Sequence, residues 1–335
     1  MTSDPTVSVL LPVRNAASTL PRALDSLLAQ TFSDFECVVV DDGSDDGTPD
    51  VLSAYVRRDD RIRTRRIEPS GIVAALDLAA RSARGTLLAR QDADDVSLPE
   101  RFDAQVEFLR RRPEIGLVAT QVAHVGTPLT DGGKRYLDWV RSCREPEEIA
   151  NGLWIESPLP HPTVLMRRVL FERVGGYRDQ GWPEDYDLWL RMLRAGTLFG
   201  KVDRDLYEWT DAPERASRTQ PQYAPDRFLA CRAHHLAGFL GERDTIVWGA
   251  GRDGRRFARA FLSEGGRVSS FLDIDPRKIG RKAYGRPIEE AQEGLAKRGS
   301  RMILVAVGAK GARELIRAAL GEASCAEGRD YVCVA

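Results

Sequence analysis

The chain has 335 residues, 49 basic and 50 acidic, and a formal net charge of -1, so no global cationic field exists to hold nucleic acid or an anionic bilayer. Hydrophobic residues make up 42%, enough for a substantial core, which excludes wholesale disorder. At about 100–200 residues per domain, the length points to two domains, or to one large one with an appendage.

In chain order, Val7 to Pro12 reads as a short buried strand and Ala17 to Leu28 as a helix, with Leu20, Leu24, Leu27 and Leu28 at helical spacing. Glu36 to Val40 is a second buried strand that closes on an acidic turn. Pro49 to Tyr55 starts a helix, Arg61 to Arg66 reads as a strand, Ile72 to Ala83 as a helix and Thr86 to Arg90 as a strand. This alternation is the mark of an α/β fold with a mostly parallel sheet and helices on both faces. Asp211 to Pro225 is punctuated by proline and reads as a long loop. A new strand, Thr245 to Trp248, then opens a second pattern of strand, glycine turn and helix, which sets domains at 1–240 and 244–335. Residues 241–335 carry 18 basic and 13 acidic side chains, a net of +5, leaving -6 for residues 1–240. Five scattered cysteines with no C-x-x-C pair read as reduced, mostly buried thiols, neither a disulfide framework nor a thiolate zinc site.

Ligands of parallel sheets sit beyond the carboxyl ends of the strands, and the polar clusters lie there: Pro12-Val13-Arg14-Asn15, Asp41-Asp42-Gly43-Ser44 and Gln91-Asp92-Ala93-Asp94-Asp95. Three carboxylates in four residues repel one another unless a cation joins them, and hard oxygen ligands suit Mg²⁺ or Mn²⁺. The alternative is a solvated acidic turn before a helix near Pro99, with Ser97 as N-cap and Glu100 three residues on. For Asp41 to Ser44 the alternative is a tight, self-capped turn. Ser70-Gly71, ahead of the Ile72 helix, would bring backbone N–H groups and a positive helix end near phosphate.

Taken together, these motifs, with Leu98-Pro99-Glu100-Arg101, Pro160-His161-Pro162-Thr163 and Pro183-Glu184-Asp185-Tyr186-Asp187-Leu188-Trp189, resemble the family 2 glycosyltransferases of the GT-A fold over roughly residues 5–210. The resemblance implies a nucleotide-diphosphate-sugar donor, with UDP-sugar favoured because a carboxylate suits the ring N–H of uracil. It implies nucleotide contacts from Pro12, Val13, Arg14, Asn15, Asp41, Asp42, Ser70, Gly71 and Asp92, and a Mn²⁺ or Mg²⁺ held by Asp92 and Asp94 with support from Asp95. Asp185, beside Glu184, becomes the base that deprotonates an acceptor hydroxyl in an inverting displacement, although both residues also suit the first turn of a helix. His161 is expected to face the donor or metal and Trp182 to stack on a sugar, while Trp189 falls at core spacing. The acceptor would be a glycan or lipid-linked molecule in surface-polysaccharide synthesis. No apolar run approaches the roughly 20 residues of a bilayer span and no basic leader precedes an apolar stretch, so the expectation is a cytoplasmic enzyme that meets such an acceptor peripherally at the inner membrane face.

The second glycine motif, Gly249-Ala250-Gly251-Arg252-Asp253-Gly254, follows a strand, opens a helix, and is succeeded by a strand ending in Asp273, the place of a ribose contact. It resembles a small Rossmann-like module. Two readings stay open: a second nucleotide site at Gly249, Gly251, Gly254 and Asp273, or glycines that only permit a tight turn and close packing in a module for acceptor docking or assembly into a homo-oligomer. A rival reading of the whole chain, a nicotinamide- or nucleotide-sugar-binding enzyme centred here, lacks an evident catalytic base.

Overall fold

Eight strands of the first half share one sheet: β1 (Val7–Val13), β2 (Phe35–Asp42), β3 (Ile62–Ile67), β4 (Leu87–Arg90), β5 (Val96–Ser97), β6 (Ile115–Gly126), β7 (Leu165–Arg167) and β8 (Leu198–Asp211), in the order β3-β2-β1-β4-β7-β6-β8-β5. The computed structural model describes residues 4–211 and 216–335. By contacts the chain divides into two compact units, Met1–Ile149 with Pro158–Gln180 and Asp187–Gln220, and Ala150–Ser157 with Gly181–Tyr186 and Pro221–Ala335.

In the first unit, β1 runs parallel to both β2 and β4, and β2 to β3, so all four carboxyl ends emerge on one edge. β2, with three consecutive valines, is buried along its whole length, as a strand covered by helices on both faces requires. The chain winds outward from β1 through β2 to β3 and then returns to place β4 on β1's other side. That reversal leaves a crevice at the ends of β1 and β4, where ligands of such sheets sit. The covering helices are α1 (Leu20–Leu28), α2 (Thr48–Arg58), α3 (Ile72–Ser82) and α4 (Arg101–Arg111), and α1 turns Leu20, Leu24 and Leu27 into the core. Ser97 does not cap α4: it lies in β5, and Glu100 is the cap residue without a side-chain bond. Ser97 instead donates its hydroxyl to Gln91 Oε1 at 2.6 Å.

The second unit holds β9 (Asp244–Trp248), β10 (Arg267–Asp273), β11 (Lys282–Ala283), β12 (Arg286–Glu290), β13 (Met302–Val305) and β14 (Tyr331–Cys333), in the order β11-β12-β10-β9-β13-β14, parallel except for the β11 edge. Here too the strand order reverses, between β9 and β13. The helix Pro225–Leu240, expected to end the first domain, clusters with this second unit, and the division falls at Gln220. Its Cys231, Leu236 and Leu240 are buried, so its apolar face, not the glycine after it, decides its membership. The expected loop from Asp211 to Pro225 contains a short helix, Ala216–Thr219, and a 3₁₀ turn, Pro221–Tyr223; residues 212–215 lie outside the described residues. All five cysteines are buried and form no disulfide, and no helix among the described residues is long and apolar enough to cross a membrane.

At the opposite edge of the first sheet, Glu36 is buried and accepts hydrogen bonds from the Ser8 hydroxyl and the Arg84 N–H, both at 2.7 Å, while Arg63 and Arg84 pair with its other oxygen. Burial alone would raise this carboxyl; the donors outweigh it and hold its pKa below the ordinary 4.5. A carboxyl with a lowered folded pKa contributes stability above its unfolded value, and that contribution is lost as pH falls through the folded value. Glu36→Gln should therefore cost roughly 1–3 kcal/mol at pH 7. Urea melts at pH 7 and below pH 4 should show the gap between variant and wild type closing in acid; a gap independent of pH would contradict this account.

Candidate active site

The turn after β1 is locked to the turn after β2. Asn15 takes a left-handed backbone (φ 51°), which asparagine tolerates better than most residues, and its N–H donates to Ser44 Oγ at 2.9 Å while its Oδ1 accepts from the Asp45 N–H at 3.0 Å. Val13 points into the core, so from that position only backbone faces the edge; Arg14 is half exposed, with its guanidinium 3.9 Å from Asp42. Asp41 closes the β2 turn, Oδ1 accepting from the Ser44 N–H and Oδ2 from Arg66 Nη1, each at 2.9 Å. Gly43 is required twice over: its φ is +66°, and a Cβ there would stand 2.5 Å from the Pro69 ring.

Asp42, expected to read a base, is also a clamp. Its Oδ1 accepts from the Ser70 N–H at 2.6 Å and its Oδ2 from the Gly71 N–H at 3.0 Å. This corrects the expectation for Ser70 and Gly71: those two N–H groups serve Asp42 and are not offered to a phosphate. The physical reason is the parallel register, which sets the β3 exit beside the end of β2.

Beyond β4, Asp92, Asp94 and Asp95 each place a carboxylate oxygen within 4.8 Å of the others. Part of their repulsion is met from within. Arg90 is 1% exposed, and its Nη2 lies 2.6 Å from Asp92 Oδ1; Asp95, fully buried, accepts the Thr210 N–H at 2.7 Å. The cluster therefore demands less from an added cation than its sequence implies, because the Arg90 guanidinium is one cation built in. Three hard oxygen donors at this spacing still fit Mg²⁺ or Mn²⁺, with Asp92 shared between any ion and Arg90. Beneath the turn, Arg101 is fully buried and donates to Ser97 Oγ at 2.7 Å, to the Arg90 carbonyl at 2.9 Å and to Gln105 Oε1 at 3.1 Å. Burial lowers its pKa to about 10, so it stays charged at neutral pH. Tyr207 lies under the same guanidinium, and its hydroxyl accepts the Asp92 N–H at 3.2 Å. Arg66, Arg90, Tyr207 and Thr210 belong to none of the sequence motifs; the one signal the sequence carries for them is a lone arginine, Arg90, ending an apolar strand.

His161 sits in the first unit's core. Its Nε2 and the Tyr177 hydroxyl are 2.7 Å apart, and its ring meets the edge of the buried Trp189, 5.8 Å between centroids. Trp189 is core, as its spacing implied. In the second unit, Trp182 packs on His234 and His235, with centroids at 5.4 and 6.3 Å, and Glu184 is buried with its Oε2 accepting the Tyr223 hydroxyl at 2.8 Å. Asp185 is half-buried in the first turn of the helix Glu184–Arg194, its Oδ1 accepting from the Tyr186 N–H at 2.7 Å.

A parallel sheet whose strand order reverses, with an aspartate-clamped turn and a triangle of carboxylates at its strand ends, offers an acidic crevice for a ligand. The model of glycosyl transferase family 2 matches residues 8–175, and the chain belongs to this family. It is 30% identical over 241 residues to the putative glycosyltransferase EpsE of Bacillus subtilis, covering 69% of this chain and 84% of the relative. It is 25% identical over 247 residues, 72% of this chain and 88% of the relative, to the Escherichia coli UDP-Gal:alpha-D-GlcNAc-diphosphoundecaprenol beta-1,3-galactosyltransferase. Among solved structures, S. aureus TarS 1–349 in complex with UDP-GlcNAc is similar with a TM-score of 0.58 at 18% identity, over 77% of this chain and 71% of that one. The mannosyltransferase PcManGT of Pyrobaculum calidifontis, in complex with GDP-Man and Mn²⁺, gives a TM-score of 0.50 at 20% identity, over 96% of this chain and 81% of that one. The fold is GT-A, and the enzyme is a glycosyltransferase. The reading centred on residues 245–335 as a nicotinamide enzyme gives way to it.

Burial, with Arg90 nearby, holds His161 neutral by pushing its pKa well below 6.5. The unfolded chain then binds the extra proton first, so stability should fall as pH drops below about 6.5, by up to ~1.4 kcal/mol per pH unit. Urea denaturation of His161→Asn and wild type at pH 7, 6 and 5 tests this: the variant should lose that slope, and parallel pH dependences would refute it.

Proposed function

We propose that this glycosyltransferase moves a sugar from a nucleoside diphosphate donor, UDP-sugar by preference, to a hydroxyl of a glycan or lipid-linked acceptor in surface-polysaccharide synthesis, with inversion at the anomeric carbon. The observation that carries the reading is the meeting, at one edge of the first sheet, of the Asp41-Asp42 turn and the Asp92, Asp94 and Asp95 triangle. The turns of Pro12 to Asn15 and Asp41 to Ser44 bind the nucleoside, Asp42 keeping lone pairs for a base N–H beyond the two backbone bonds it accepts. Asp94, with Asp92 beside it, would hold Mn²⁺ or Mg²⁺, which supplies positive charge against the charge that develops on the leaving diphosphate. That PcManGT is described with GDP-Man and Mn²⁺ and TarS with UDP-GlcNAc supports donor and ion alike.

Asp185 takes the proton from the acceptor hydroxyl as its oxygen attacks the anomeric carbon, and the bond to the diphosphate breaks on the opposite face. Glu184 is the supporting carboxylate, held by Tyr223. The diphosphoundecaprenol-linked acceptor in the name of the Escherichia coli galactosyltransferase supports a lipid-linked acceptor here, which a cytoplasmic enzyme would meet peripherally at the inner membrane face.

Thermal denaturation with UDP, GDP or dTDP, with and without Mn²⁺, tests the donor site. One nucleotide should raise the midpoint further with the ion than without it, Asp94→Ala should abolish that ion-dependent increment while leaving the ligand-free midpoint within a few degrees, and absence of any ion-dependent increment for wild type would end this reading. Asp185→Asn should keep the ligand-induced shift and lose on the order of 10²–10⁴-fold in transfer. Retained transfer would move the base to Glu184.

A further inference from the structure

The second unit contains a cleft of about 500 Å³ at the reversal of its own strand order, within the 300–1,000 Å³ typical of small-molecule sites. It is bounded by the segments leaving β9 (Trp248 to Gly254), β10 (Asp273 to Lys278) and β13 (Ala306 to Ala309), and by the helix Ala312–Glu322. The glycines of the G-x-G-x-x-G motif separate the two readings left open by the sequence. Gly249 has φ +115° and a Cβ there would stand 2.8 Å from Val307; a Cβ on Gly254 would stand 1.8 Å from the Gly249 carbonyl oxygen. Both are demanded by the turn and by packing. Gly251 is demanded by neither: its φ is -80°, and the nearest atom to a Cβ there is Lys278 Nζ, 4.0 Å away in the cleft. A side chain at 251 would enter space that the fold itself leaves empty.

Two further features give that space a character. The helix Arg252–Ser263 begins at Gly251, so the first turn of a twelve-residue helix, with its positive end, lines the cleft together with Lys278. On the other side the wall is apolar, and Ile274 and Leu315 stand 77% and 74% exposed at it, a cost in water that a bound apolar or aromatic surface would relieve. The three lining carboxylates are already answered: Asp253 by Arg252 at 3.3 Å, Asp275 by Arg277 at 3.0 Å and Asp273 by Lys278 at 3.0 Å.

We propose that this cleft is a second nucleotide site, independent of the donor site, which takes a nucleoside diphosphate group with its phosphates over Gly251 and beside Lys278 and its base against the apolar wall. The occupant is not a dinucleotide. Asp273, in the position of a ribose contact, is turned to the loop instead: Oδ2 accepts from the Ala250 N–H at 2.9 Å and from Lys278, and Oδ1 from the Asp275 N–H at 2.9 Å. Burial would raise this carboxyl, but those donors hold it below the ordinary value.

The test is calorimetric titration of the full chain in EDTA with UDP, GDP, ADP, CDP, dTDP and NAD⁺, which removes any metal-dependent contribution from the first site. One nucleoside diphosphate should bind with a stoichiometry of one, and should still do so in an Asp94→Ala protein. Gly251→Val should weaken it at least tenfold, with an unchanged circular dichroism spectrum because the backbone there suits any residue; Lys278→Ala, which leaves the Ala250 and Asp275 N–H bonds to Asp273 in place, should weaken it about tenfold. Failure of every diphosphate to bind in EDTA, wild-type affinity in both variants, or NAD⁺ binding tenfold more tightly than any diphosphate would each overturn the proposal. None of these outcomes depends on the donor site.

Discussion

Two buried guanidinium groups, Arg90 and Arg101, underlie the acidic turn of the first unit. A charge taken out of water is tolerated only when its donors are met, and here the partners are the turn itself: the Arg90 carbonyl, the Ser97 hydroxyl and the Gln105 amide for Arg101, and the Asp92 carboxylate for Arg90. The carboxylates that make the edge chemically useful are therefore held in place from below by cations that make them affordable to fold. Tyr207, under Arg101 and bonded to the Asp92 N–H, ties β8 into the same arrangement.

The β2 turn uses the opposite device. There the carboxylates are the inner partners, and backbone N–H groups are their donors: Asp41 takes Ser44 and Asp42 takes Ser70 and Gly71. One aspartate clamps its own turn and the other clamps the next strand's exit, so three strand ends are fixed relative to one another. On the proposed function these turns would meet the nucleotide already ordered, and groups fixed in advance lose less freedom on association.

The two units repeat one topological idea, a parallel sheet whose strand order reverses, with different chemistry at the reversal. In the first, the edge is acidic. In the second it combines a glycine turn, a helix start, one lysine and an apolar wall. Asp273 shows how a sequence position alone misleads: the motif predicts a ribose contact, but the residue's nearest donors are Ala250 and Lys278, and it serves as a brace for the loop.

By itself the sequence determined the parallel sheets, because buried valine runs alternating with amphipathic helices have few other ways to hide both faces, and it marked the acidic turns, because carboxylates cannot cluster without a reason. The family was likewise legible as a resemblance, carried by those turns together with Pro160 to Thr163 and Pro183 to Trp189. What only the tertiary structure decided was which partners the carboxylates have. That Asp95 accepts from Thr210, that Asp42 spends two bonds on Ser70 and Gly71, that His161 turns inward to Tyr177, and that the helix Pro225–Leu240 joins the second unit all depend on contacts between residues well separated in the chain. Local pattern sets period and turn; strand register and packing choose the neighbours, and the neighbours set the charge.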